Sequence, residues 1–284
     1  MKALDYDINH HQIIFIGESI HGVSQFTLFK HQFMKKHVDK NWICLFEADY
    51  LGMKLSRSQG DCANKILLNF PLVMRTRETF DLLTWLVEHD IPYHGIDNIP
   101  RRLLSDYPVD WLSIKSEQDL EYQKLKITNN LFEWREEEMA KNITNTIGIY
   151  GKNNKALIML HNMHIKNKGS HENSNLRLRS VKERIDARLR KKSISIAQVA
   201  LRGSAINNDL TPFHFCINDA QSVESFAINS DNIYNIHSAT DLPNEAVAYH
   251  HAFEKENISA KEQYEWIIVF RDVTPPKQNF TDSN

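Results

Sequence analysis

The chain has 284 residues, enough for a sizeable core and somewhat long for one average domain. It is 42% apolar and 25% charged, and 34 basic against 36 acidic residues leave a formal net charge of -2. That balance argues against a protein built mainly to coat nucleic acid or an anionic membrane. The opening MKALDYDINHHQ lacks the apolar core of a secretory signal, and no apolar run approaches the ~20 residues that span a bilayer. Cys44, Cys62 and Cys216 are odd in number and far apart, so neither a disulfide framework nor a thiolate metal cage is readable. A cytoplasmic protein is expected, although export by a route that needs no signal peptide would leave the same sequence.

In chain order, a first strand is expected from Gln12 to Gly17. Next comes a helix on which Phe26, Phe29 and Phe33 recur at helical spacing, with Ser24 as its N-cap. A second strand covers Trp42 to Glu47. Thr76 then caps a helix whose inward face carries Phe80, Leu83 and Val87, and a third strand runs from Ile91 to Ile96. The residues from Asp97 to Lys115 read as an irregular bridge. A long helix follows from about Ser116 to Ile147, with Ser116 and Asp119 resembling a capping box. Its inward stripe is Phe132, Met139, Ile143 and Ile147, with Arg135 on the same stripe, where a buried guanidinium needs an anionic partner.

A fourth strand covers Lys155 to Leu160. The basic stretch from Leu176 to Lys192 carries Arg177, Arg179, Lys182, Arg184, Arg188, Arg190, Lys191 and Lys192. Its apolar face (Leu178, Val181, Ile185, Leu189) marks a packed helix with a charged outer side, without the interleaved aromatics of a nucleic-acid surface. Strands from Ser193 to Ala200 and Trp266 to Arg271 follow, with shorter strand-like pieces at Phe213 to Ile217 and Ile233 to Ile236. Such alternation predicts an α/β fold, a mostly parallel central sheet with helices on both faces. One domain is expected over residues 1–275, with a short helical insertion at about 98–148 and a flexible tail over 276–284.

Polar residues gather where the strands end. The run IIFIG leads into Glu18-Ser19-Ile20-His21-Gly22, ICLF into Glu47 and then Asp49, YHGI into Asp97, and ALIML into His161-Asn162-Met163-His164. Ligands of open α/β sheets bind outside the carboxyl ends of the strands, so these residues are expected to meet at one rim. Taken singly, each carboxylate is as readily a structural acceptor and each histidine more readily a satisfied one; the joint occurrence favours a functional cluster. The pairs His10-His11 and His250-His251 lie away from it in sequence and are expected at the surface or an edge. No phosphate-cradling glycine loop is present.

These residues resemble the erythromycin esterase family. The resemblance runs through GESIHG (Gly17 to Gly22), FEAD with Glu47, RETFDLLTWL before HGID with Asp97, REEEMAKN with Arg135 and Met139, LHNMHI with His161 and His164, and YEWIIVFRDVTPP near the end. It implies a hydrolase in which His21 is a general base on water without an essential metal, flanked by Glu18, Glu47, His161 and His164. Arg135, Asp97 and Lys30 are then expected to bind substrate. Ile20 and Gln25 depart from the family pattern, and the segment between Asp97 and Arg135 is shorter than the insertion that shapes a macrolide cleft. The expectation is therefore an ester or lactone-type bond in an unknown small molecule rather than a macrolide.

The residues leave alternatives open. Glu18, His21, Glu47, His161 and His164 also suit zinc or iron, so a divalent metal or haem site stays possible. Gly17-Glu18-Ser19-Ile20-His21 nearly makes a nucleophile elbow around Ser19, but His21 stands where the last glycine belongs. A further alternative is a secreted effector or toxin domain that acts on or binds a host component, with a host protein as candidate partner; neither nucleic acid nor membrane is expected as a partner.

Overall fold

The computed structural model describes residues 2–128, 131–151, 153–171, 178–227 and 232–277. The first half contains α1 (Lys2–His10), β1 (Ile13–Ile16), α2 (Ser24–His37), β2 (Trp42–Asp49), α3 (Tyr50–Gln59), α4 (Ala63–Leu67), α5 (Arg77–Glu88), β3 (Tyr93–Asp97), α6 (Leu112–Thr128) and α7 (Leu131–Tyr150). The second half contains β4 (Lys155–Met159), α8 (Val181–Arg184), α9 (Ala187–Arg190), β5 (Ser193–Ile206), β6 (Pro212–Cys216), β7 (Tyr234–Ser238), β8 (Ala246–His251), β9 (Glu254–Ile258), α10 (Ala260–Gln263) and β10 (Trp266–Val273). The order β3-β2-β4-β1-β5-β10 is parallel throughout, β7 adds antiparallel to β10, and β6 pairs antiparallel with β5. β8 and β9 form a separate hairpin.

The central strands are buried on both faces, which is why they read as unbroken apolar runs. Ile14, Ile16, Cys44, Phe46 and Leu157 point into one core with Phe26, Phe33, Leu83 and Leu86. Their neighbours Ile13, Phe15, Ile43, Leu45 and Ile158 point into the other with Met139, Ile143 and Ile147. The strand period of two thus distributes one hydrophobic run between two layers of helices. This is the expected α/β architecture.

Several local expectations are corrected. Val23, not Ser24, is the N-cap of α2; the Ser24 hydroxyl donates to Glu78 Oε1 at 2.7 Å instead. Thr76 does cap α5, accepting from Thr79 N, but the buried face is Leu82, Leu83 and Leu86, while Val87 is exposed. The long helix is two elements, and α6 begins at Leu112, which puts Ser116 inside it and not at a cap. Phe132 is exposed, and Glu136 occupies the buried stripe with Met139, Ala140, Ile143 and Ile147. The basic stretch makes two short turns of helix, α8 and α9; Lys182 is buried, donating to Ser195 Oγ at 2.7 Å and Glu265 Oε2 at 3.1 Å. Leu176 and Arg177 lie outside the described residues.

The sheet also reaches further than expected. β2 continues past Glu47 to Asp49, β5 runs to Ile206, and α1, β8 and β9 have no counterpart in the expected elements. The start of the expected tail is anchored, since Arg77 N donates to Lys277 O at 3.0 Å, and just before it Thr274 N donates to Gln25 Oε1 at 2.8 Å. Residues 278–284 lie outside the described residues. No helix among those described is long and apolar enough to cross a membrane.

Candidate active site

Four strand ends and two helices build one cluster. Beyond β1, the chain turns sharply and presents Glu18 and His21 on the same side. Gly17 and Gly22 bracket that turn because neither has room for a side chain: a Cβ would sit 2.4 Å from Asn162 Oδ1 at Gly17 and 1.9 Å from Ile206 O at Gly22. On β2 the period of two puts Glu47 on the face of Ile43 and Leu45, towards α7, and a bulge slips the pairing with β3 between Phe46 and Asp49. Gly95 on β3 accommodates it, since a Cβ there would lie 2.5 Å from Ala48 O. β3 ends at Asp97. After β4, His161 caps the single 3-10 turn Asn162–His164. α2 contributes Lys30, one turn beyond buried Phe26, and α7 contributes Arg135 and Glu136.

The eight side chains expected from the sequence converge. His21 Nδ1 lies 2.7 Å from Glu18 Oε1, and its Nε2 lies 3.6 Å from Glu47 Oε1. Lys30 Nζ donates to Glu18 Oε2 at 2.5 Å. Arg135 donates from Nη2 to Glu47 Oε1 at 2.5 Å, and from Nε and Nη2 to the two Asp97 oxygens at 3.1 and 2.9 Å. The His161 main-chain N–H donates to Glu47 Oε2 at 2.8 Å. His164 Nε2 is 3.4 Å from Glu47 Oε1, and its Nδ1 touches Glu136 Oε1. Neither of these His164 contacts is aligned as a hydrogen bond, so they act as ion pairs.

Charge explains the pairing. Glu18, Glu47, Asp97 and Glu136 face Lys30, Arg135, His21 and His164, with Arg101 3.9 Å from Asp97 Oδ2 at the edge. Burial alone would lower the pKa of His21, but Glu47 and Glu18 outweigh it and raise His21 to about 9. His164 is also raised to about 9: burial opposes, and Glu136 and Glu47 prevail. Glu47 is held well below the usual carboxylate range, since His164, Arg135 and His21 offset its desolvation. His161 goes the other way, lowered by burial and by the neighbouring imidazoles of His21 and His251. Its Nε2 lies 2.7 Å from the Ser19 carbonyl and its Nδ1 accepts from Met163 N at 3.3 Å, so it is a neutral ring with the proton on Nε2.

Two residues of this neighbourhood were not anticipated. Glu136 stands next to Arg135 and is the true member of the apolar stripe; Met139, Ile143 and Ile147 read at helical spacing point to it. His251 was expected away from the cluster, yet its ring meets that of His161 edge-on with centroids 5.1 Å apart. His250, expected at the surface, is buried between Tyr264 and Glu256. His10 does match the surface expectation. Asp49 is structural: it caps α3 through Leu51 N and Gly52 N and accepts from Arg101 N.

The alternatives can be weighed against the same geometry. Among the described residues no three His, Cys, Asp or Glu side chains are grouped to hold a metal ion. Both nitrogens of His161 meet main-chain groups, Ser19 O and Met163 N. The Ser19 hydroxyl is buried without a hydrogen-bond partner, so nothing activates it as a nucleophile.

No protein-family model matches the chain, and no curated protein matches it in sequence. Solved structures do. A protein from Bacillus cereus superposes with a TM-score of 0.69 at 14% identity, covering 98% of this chain and 93% of that one. A succinoglycan biosynthesis protein gives 0.69 at 14% identity, covering 97% and 91%. A mutant of the erythromycin esterase EreC in its open conformation gives 0.67 at 11% identity, covering 99% and 95%. At such identities the likeness is one of fold, and the fold is erythromycin-esterase-like.

Proposed function

We propose that the chain is a hydrolase that cleaves an ester or lactone-type bond with water activated at His21. The observation that carries this reading is the placement of His21 between two carboxylates with different contacts. Glu18 accepts a hydrogen bond from Nδ1–H at 2.7 Å, so in the neutral ring Nε2 is the lone-pair nitrogen. Glu47 lies 3.6 Å from Nε2, beyond a direct hydrogen bond, leaving that nitrogen to a water. When water attacks a carbonyl, Nε2 takes its proton, and the two carboxylates stabilise the imidazolium. Lys30 holds Glu18 in place, and Asp97 holds Arg135. Lys30 and Asp97 are walled off from solvent, whereas Arg135 keeps 12% of its side-chain surface and is the cation placed to meet a developing oxyanion.

The raised pKa of His21 has a consequence for turnover. Near neutrality the ring is mostly protonated and inactive as a base, so activity should climb with pH as it deprotonates near 9. The direct test is His21→Ala against a panel of esters and lactones. Loss of about 10²-fold or more in kcat supports the base; a folded variant with undiminished hydrolysis removes it.

A further inference from the structure

The β8–β9 hairpin reaches back from the second half of the chain onto the rim. Its two-residue turn is Ala252-Phe253, with φ of 48° and 59°. That left-handed region costs a residue with a side chain about 1–2 kcal/mol. Two sets of contacts hold the turn in place. Ala252 N donates to the Ser19 carbonyl at 2.8 Å, inside the loop that carries Glu18 and His21. The Phe253 ring stacks on Phe215 with centroids 3.8 Å apart and meets Phe213 at 5.9 Å.

This arrangement sets His251 beside the cluster, with Glu256 behind it. Glu256 Oε1 is 3.8 Å from His251 Nδ1, and Glu256 Oε2 is 2.7 Å from His250 Nε2, whose other nitrogen lies 2.6 Å from the Tyr264 hydroxyl. The charged or titrating groups around His251 are thus Glu256 and His250 from the hairpin and His161 from the loop after β4, with Lys166 acting on Glu256. His251 Nε2 makes no hydrogen bond among the described residues, and the side chain keeps 13% of its surface. The rim therefore presents two imidazoles with more than a tenth of the side chain exposed, His21 at 11% and His251 at 13%, each with a carboxylate beside Nδ1. The neutral His161 ring stands between them, 5.5 Å from the first and 5.1 Å from the second. Hydrolysis of an alkyl ester takes a proton from water and gives one to the leaving oxygen, and two separate imidazoles can divide those tasks.

We propose that His251 is that donor, protonating the alcohol oxygen as the ester bond breaks, and that Glu256 is its positioning residue. The proposal rests on the hydrolytic reading above. Water adds to the carbonyl carbon and gives one proton to His21. The tetrahedral intermediate then re-forms its C=O, the carbon–alkoxide bond breaks, and the alkoxide takes the His251 proton. Acid and alcohol leave, and solvent returns the proton from His21 to His251, so no other reactant is consumed.

The experiment compares an aryl ester with an alkyl ester of the same acid, because a phenolate leaves without a proton and an alkoxide does not. His251→Gln should lower kcat/KM for the alkyl ester about 10²-fold while the aryl ester changes less than about threefold. Glu256→Gln should act on the alkyl ester alone, and Glu256→Asp should restore part of the rate. His21→Ala should depress both esters, which separates the two roles. Equal losses on both esters, or no loss on the alkyl ester, overturn the donor and leave hydrolysis standing. Should the folded wild type turn over neither ester, the hydrolytic reading falls and the donor with it. A check that needs no variant is the wild-type rate across alcohols of graded acidity: a shallow dependence supports protonation of the leaving oxygen, and a steep one overturns it.

Discussion

At the scale of residues, Glu47 is the shared acceptor of the site, facing Arg135, His164, His21 and the His161 main chain. Glu47→Gln keeps the shape and removes the charge that most raises His21, so the ring should titrate at least about one pH unit lower. Histidine NMR resonances or the pH limb of turnover would show this, and an unmoved midpoint would contradict it. The same change leaves buried cations short of a partner and should destabilise the fold by about 3–5 kcal/mol in denaturant titration. Because His21 is proposed to work without a metal, exhaustive chelation should leave turnover unchanged; a loss restored by zinc would contradict that. Glu18, His21, Glu47, Asp97, His161 and His164 could be read in advance because they follow apolar runs and the parallel sheet brings its strand ends together, whereas Lys30 and Arg135 come from helices. Glu136 and His251 were hidden for different reasons. Glu136 sits in a run of three glutamates, and His251 depends on a hairpin that approaches from another part of the chain.

At the scale of elements, strands were more legible than helix ends. Apolar runs buried on both faces announce themselves, but caps depend on which partner wins a hydroxyl. Ser24 is claimed by Glu78, whereas Thr76, whose hydroxyl also meets Thr79 Oγ1 at 3.2 Å, still accepts from Thr79 N and caps as its position suggests. The β8–β9 hairpin was illegible because Ala252-Phe253 occupies a turn that usually calls for Asn-Gly. Replacing Ala252 with Gly should relieve the strained φ and add up to about 1 kcal/mol to stability, read as a raised Tm; an unchanged or lowered Tm would show that the turn holds no strain. The bulge on β2 makes the opposite prediction for Gly95. Gly95→Ala drives a methyl towards Ala48 O and should cost about 1–3 kcal/mol while displacing Glu47 and lowering turnover. A variant with wild-type stability and activity would show that the bulge is dispensable.

For the whole molecule, the parallel sheet gathers the site and the site's charges feed back on the fold. His21 and His164 are raised from 6.5 to about 9, so their protonation stabilises the folded chain fully below about pH 6.5. That contribution is lost as pH rises through about 9. Glu47, held below its ordinary 4.5, contributes above that value and loses its contribution as pH falls towards its folded value. Thermal melts should therefore show Tm falling from about pH 7 to 10, with a flatter fall in His164→Gln; a Tm that is level across that range in the wild type would contradict protonated, ion-paired imidazoles at the site.

The central claim is that His21 is the base and that its carboxylate neighbours set its pKa. The most direct measurement is kcat/KM for an activated ester against pH in the wild type and in Glu47→Gln. The account predicts a wild-type rate that rises with a midpoint near 9 and a variant midpoint displaced towards 6.5. A wild-type rate already level from pH 7 upward, or two profiles that superimpose, would contradict it.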